Sequence, residues 1–65
     1  MNAWVILTID RNGTVNTNEG YKTYEEAKNS IYKRIEFEDM RALGDYRFFD
    51  INNEILYEIK NITIF

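Results

Sequence analysis

The sequence predicts an α+β fold with element order β-β-α-β-β: a four-stranded, mostly antiparallel sheet with one helix packed on one face. Three observations carry this. Thr23 to Leu43 is the longest stretch with helical patterning, strand-like segments lie on both sides of it, and two turn signals share one grammar, Asp10-Arg11-Asn12-Gly13 and Asp50-Ile51-Asn52-Asn53. At 65 residues the chain reads as a single domain, residues 1–65. A chain this short buries only about 60% of the surface its unfolded form exposes.

Ala3 to Asp10 reads as a strand of β-branched and aromatic residues. Val5, Leu7 and Ile9 share one face, Trp4, Ile6 and Thr8 the other. Both faces are largely apolar, which suits a central strand. For the turn that follows, a two-residue Asn12-Gly13 loop would set apolar side chains against polar ones. A three-residue loop with Gly13 left-handed instead pairs Ile9 with Val15, and this is the expected register. Thr14 to Thr17 is a short polar strand suited to an edge, and Asn18-Glu19-Gly20 leads on to the helix.

Thr23-Tyr24-Glu25-Glu26 fits the capping box, in which the threonine hydroxyl accepts from the amide three residues on and the glutamate reaches back to the threonine amide. Tyr24, Ala27, Ile31 and Ile35 then recur at steps of three, four and four, one stripe that should face the sheet. Beyond Ile35 the pattern changes, because Phe37 and Met40 fall on the side away from the stripe. In the preferred reading the helix ends or kinks near Glu36 and Phe37, Met40 and Leu43 cover the end of the core. In the rival reading it runs straight to Gly44, its C′ residue, and Phe37 with Met40 forms an exposed contact patch.

Tyr46 to Ile51 is the third strand, with Phe49 and Ile51 on one face and Tyr46 and Phe48 on the other. A three-residue turn with Asn53 left-handed pairs Phe49 with Ile55 and is preferred. A two-residue Asn52-Asn53 loop, bringing Arg47 opposite Glu58, is the alternative. Glu54 to Phe65 is the last strand. Ile55, Tyr57 and Ile59 share a face, so a bulge near Lys60-Asn61 is needed if Ile62 and Ile64 are to point inward too. One helix covers part of a sheet, which leaves Trp4, Ile6, Tyr46, Phe48 and Leu56 expected on the uncovered face.

Composition narrows the function classes. With no Cys and no His, disulfides are impossible and a metal would need oxygen ligands alone. Nucleophilic catalysis needs an activated Ser, Cys or Lys with a positioned base, and the single Ser30 sits within the helix. No glycine-rich phosphate loop is present. The expectation is no enzyme, no cofactor and no metal. Neither a leader nor an apolar run of about 20 residues occurs, so a cytoplasmic location without membrane insertion is expected. A net charge of -3 argues against nucleic-acid binding.

Trp4, Tyr46 and Phe48 on an open face could still stack bases, which makes a single-stranded nucleic-acid module one alternative. A structural homo-oligomerising accessory protein is another. The preferred reading is a small non-catalytic protein-binding factor whose partner is a host protein or a second copy of itself. Its candidate contact residues are Trp4, Ile6, Tyr46, Phe48, Phe37, Met40 and Phe65, types enriched in interface cores. The abundance of Ile, Asn, Lys, Tyr and Glu, with no Pro, is the bias of AT-rich coding. A phage or mobile-element inhibitor of a host defence complex, acting as a homodimer, is the specific expectation.

Overall fold

The computed structural model describes residues 2–17 and 20–63. They form β1 (Asn2–Ile9), β2 (Val15–Thr17), α1 (Tyr24–Arg34), β3 (Met40–Ala42), β4 (Arg47–Asp50) and β5 (Ile55–Thr63), with a 3-10 turn at Phe37–Asp39 between α1 and β3. The five strands form one sheet in the order β2-β1-β5-β4-β3, and every neighbouring pair is antiparallel. The α+β class is as expected, but the sheet has five strands where four were expected. The extra strand is β3, from a segment whose sequence left open whether it continued the helix.

The helix start follows from its cap. Thr23 Oγ1 accepts from the Glu26 amide at 3.1 Å, while the Glu26 carboxylate accepts from the Lys22 amide at 3.2 Å, one residue earlier than the capping box predicts. Ala27, Ile31 and Ile35 are buried and Tyr24 packs against them, so the stripe faces the sheet. The helix ends at Arg34, with Ile35 already extended at φ -117°. Met40, Arg41 and Ala42 pair with Asp50, Phe49 and Phe48, satisfying backbone groups that a longer helix would have kept for itself. The straight-helix reading is therefore excluded, and Gly44, at φ 149°, sits in the loop between β3 and β4.

The first hairpin has the expected register, Ile9 opposite Val15. Gly13 is left-handed at φ 82°, and Asp10 Oδ1 accepts from the amides of Asn12 and Thr14 at 2.9 and 3.0 Å. The second hairpin takes the register of the alternative. Phe49 faces Leu56, Arg47 faces Glu58, and the left-handed residue is Glu54, at φ 56°, in place of Asn53. Asp50 organises this loop: its carboxylate accepts from the Asn52 and Asn53 amides and from Asn53 Nδ2.

β5 pairs with β1 without interruption from Leu56↔Ile9 to Thr63↔Asn2, so the bulge expected at Lys60-Asn61 is absent. Ile62 consequently points away from the helix and is exposed. Ile64 and Phe65 lie outside the described residues, as do Asn18 and Glu19 of the loop.

Register decides the core. Ile6 lies opposite Ile59, Thr8 opposite Tyr57 and Phe48 opposite Tyr57, which sets Ile6, Phe48, Tyr57 and Ile59 on one side of the sheet. These four pack with Ala27, Ile31 and Ile35, and Trp4, Tyr21, Tyr24, Met40 and Ile55 surround them. The expected faces are therefore reversed for β1 and β4. Trp4, Ile6 and Phe48 lie beneath the helix, whereas Val5, Leu7, Ile9 and Phe49 face the other way. Among the described residues no helix is long and apolar enough to cross a membrane.

Candidate functional site

The residues singled out as contact candidates fall into three places. Ile6, with 0% exposure, and Phe48, with 3%, are core residues out of reach of any partner. Trp4 and Tyr46 come together in an aromatic cluster at one end of the helix. Their rings are parallel with centroids 6.4 Å apart, and Tyr24 meets both edge-on at 5.7 and 5.3 Å. The Tyr24 hydroxyl donates to the Asp45 carbonyl, tying this cluster to the β3–β4 loop. Phe37 and Met40 lie elsewhere, beside the end of α1. Phe65 lies outside the described residues.

The helix layer carries two grooves. One, of about 190 Å³, is lined by Tyr32, Ile35, Phe37 and Met40. Phe37 is 87% exposed although its backbone is fixed by the 3-10 turn, in which Asp39 donates to the Glu36 carbonyl at 2.9 Å. Lys28 lies nearby, its ammonium 5.5 Å from the Tyr32 ring centroid and 5.9 Å from that of Tyr24. A hydrogen bond with Tyr32 holds the Lys28 ammonium above its ordinary pKa. The other groove, of about 600 Å³, is open and is lined by Tyr21, Glu26, Asn29, Ser30, Lys33 and Arg34. There Tyr21 and Ser30 share a 2.8 Å hydrogen bond and Arg34 donates to the Tyr21 hydroxyl at 3.4 Å.

The side of the sheet opposite α1 is not covered by any described helix. Alternation and register set Val15, Ile9, Leu56 and Phe49 side by side on four neighbouring strands, with Arg41 of β3 at the end of the row. At about 4.8 Å per strand the apolar row is ~14 Å long. Leu7 lies beside it, and further along the same side are Val5, which is buried, and Ile62, which is exposed. None of these residues belongs to the core cluster beneath the helix. Between the apolar groups runs a charged line in which Glu58 meets Arg47 and Lys60, each at 3.9 Å. Arg41, Arg47 and Lys60 thus face a single described carboxylate, on a chain whose net charge is -3.

The sheet's outer edge at β3 is guarded. Arg41 Nη1 donates to the carbonyls of Glu38 and Met40 at 3.3 and 3.2 Å, occupying acceptors that an added strand would use. The face was legible only in part. Val5, Leu7, Ile9 and Phe49 were grouped correctly by alternation but assigned to the helix side. The signal that locates Phe49 is Asp50, whose side chain caps a four-residue turn and shifts the register by one.

Among the described residues no group of three metal-ligating side chains is found. Burial holds the Tyr57 hydroxyl above its ordinary pKa, the Asp50 carboxylate adding to the shift and Arg34 opposing it. Compared with family models, curated proteins and solved structures, the chain matches none of them.

Proposed function

We propose that this chain is a non-catalytic protein-binding domain and that it engages its partner through the helix-free face of the sheet. The observation that carries the reading is the row Val15, Ile9, Leu56 and Phe49, the first exposed and the other three half-buried, on the side of the five-stranded sheet that lacks the helix. The strip is bordered by Arg41, Arg47 and Lys60, so the complementary partner presents an apolar patch flanked by carboxylates. Two copies placed face to face would oppose these cations, which favours a different protein over self-association on this side. Base stacking is less well supported, because Trp4 and Phe48 lie on the helix side and Phe49 is the one aromatic on the described open face. The finer reading, a cytoplasmic phage or mobile-element inhibitor of a host defence complex, rests on small size, acidity and AT-rich composition.

The test compares capture from a lysate of the source organism by the wild type, Phe49→Lys and the helix-side control Asn29→Ala. The reading expects one protein to be retained by the wild type and the control and lost with Phe49→Lys. With that protein purified, backbone amides of β1 and β5 should gain protection from hydrogen exchange. Capture that survives Phe49→Lys, or protection confined to the helix, would refute the face as the contact.

A further inference from the structure

We propose that the chain also self-associates about a two-fold axis, the Phe37 ring of each copy entering the groove beside Tyr32, Ile35 and Met40 of the other. Phe37 is the most exposed of the large apolar side chains described, and it stands on a turn pinned by its own backbone hydrogen bond. With the backbone already fixed, docking has only the side-chain torsions of the ring left to order. Its ring also forms one wall of the groove of about 190 Å³, whose other walls are Tyr32, Ile35 and Met40. An apolar cavity of about 150 Å³ is enough to hold benzene. A projection and a matching recess side by side on one surface are self-complementary under a two-fold operation, because each copy supplies both.

The charges around the two halves agree with this. Phe37 is flanked by Glu36 and Glu38, both exposed and in no ion pair among the described residues. Next to the groove is Lys28, its ammonium 5.5 Å from the centroid of the lining Tyr32 ring and likewise in no ion pair among the described residues. Docking Phe37 beside the other copy's Tyr32 brings carboxylates toward an ammonium at both ends of the contact. An aromatic side chain buries about 150–250 Å². Two rings and the surfaces they cover stay below the roughly 1,200 Å² of a standard interface, so the dimer belongs to the weak, transient class. Since the groove is in the helix layer, dimerisation leaves both open sheet faces free and makes the assembly bivalent. The inference does not depend on the open-face reading.

Sedimentation equilibrium from about 10 µM to about 1 mM tests it. The wild type is expected to pass from monomer to dimer within that range. Phe37→Ala and Phe37→Glu should weaken the dimer at least about tenfold with an unchanged circular-dichroism spectrum, whereas Phe49→Lys, on the opposite side, should leave it intact. In a mixed sample, the labelled Met40 methyl of one copy should show an isotope-filtered Overhauser contact with the unlabelled Phe37 ring of the other. A monomer throughout the range, a dimer indifferent to Phe37→Ala, or a dimer lacking the Met40–Phe37 contact would each overturn the proposal.

Discussion

Asp50 is the residue whose removal should reveal most about how this fold is held. It is 2% exposed, yet its carboxylate meets no cation. Instead it accepts from the amides of Asn52 at 3.0 Å and Asn53 at 3.2 Å and from Asn53 Nδ2 at 2.9 Å. Each hydrogen bond to a charged acceptor contributes about 1.5–3 kcal/mol net. Asn52 and Asn53 are exposed, so water recovers much of that once the carboxylate is gone. Relief of the buried charge offsets a further part. Counting two backbone bonds near the low end and allowing for these offsets, Asp50→Ala should cost about 2 kcal/mol.

A chain of this length has ~3–10 kcal/mol of stability in all, and 1 kcal/mol shifts the midpoint of so small a domain by about 4–8 °C. Asp50→Ala should therefore lower the thermal midpoint by about 8–16 °C. Asp50→Asn, which keeps an acceptor for the backbone amides, should cost less. Asp10→Ala, at the equivalent place in the first hairpin but less deeply buried, should cost about 1 kcal/mol. Urea unfolding followed by circular dichroism measures all three. An Asp50→Ala variant within about 0.5 kcal/mol of the wild type would refute the view that this side chain holds the second hairpin in register.

Two other expectations concern the sheet and the helix. The neutral Tyr57 phenol is favoured in the folded state, so above the ordinary tyrosine pKa of about 10 the unfolded chain loses its proton first. Stability should be indifferent to this group at lower pH and fall as pH rises past that value. Tyr57→Phe should make the fall shallower in urea titrations repeated across the alkaline range, and an unchanged slope would show that burial of the phenol is not its source. At the helix start, Thr23→Ala removes the acceptor of the Glu26 amide and should cost about 0.5–2 kcal/mol. A Thr23→Ala midpoint equal to that of Thr23→Ser would show that the cap contributes nothing.

What could be read in advance was whatever depends on neighbours along the chain. The Thr23 cap, the stripe through Ala27, Ile31 and Ile35, the Gly13 turn and the pairing of Ile9 with Val15 all follow from groups within a few residues of one another. The end of the helix was harder. Helical propensity alone would carry Glu36 to Leu43 onward, and what stops it is the backbone pairing that Met40 to Ala42 gain with β4. The apolar side without a helix was misplaced for a related reason. Phe48 and Phe49 are adjacent and equally apolar, so a one-residue choice of turn decides which is core and which faces outward.

The sequence by itself determined the α+β class, the single helix and four of the five strands, and which side chains share a side of β1 and β4, because alternation and capping are local properties of the backbone. Tertiary structure alone decided which side the helix covers. β1 is apolar on both sides, and only its pairing with a strand about fifty residues away, Ile6 opposite Ile59, selects the side on which Ile31 finds a buried partner. That non-local register leaves Val15, Ile9, Leu56 and Phe49 on the side without a helix, and with them the surface we propose as the contact.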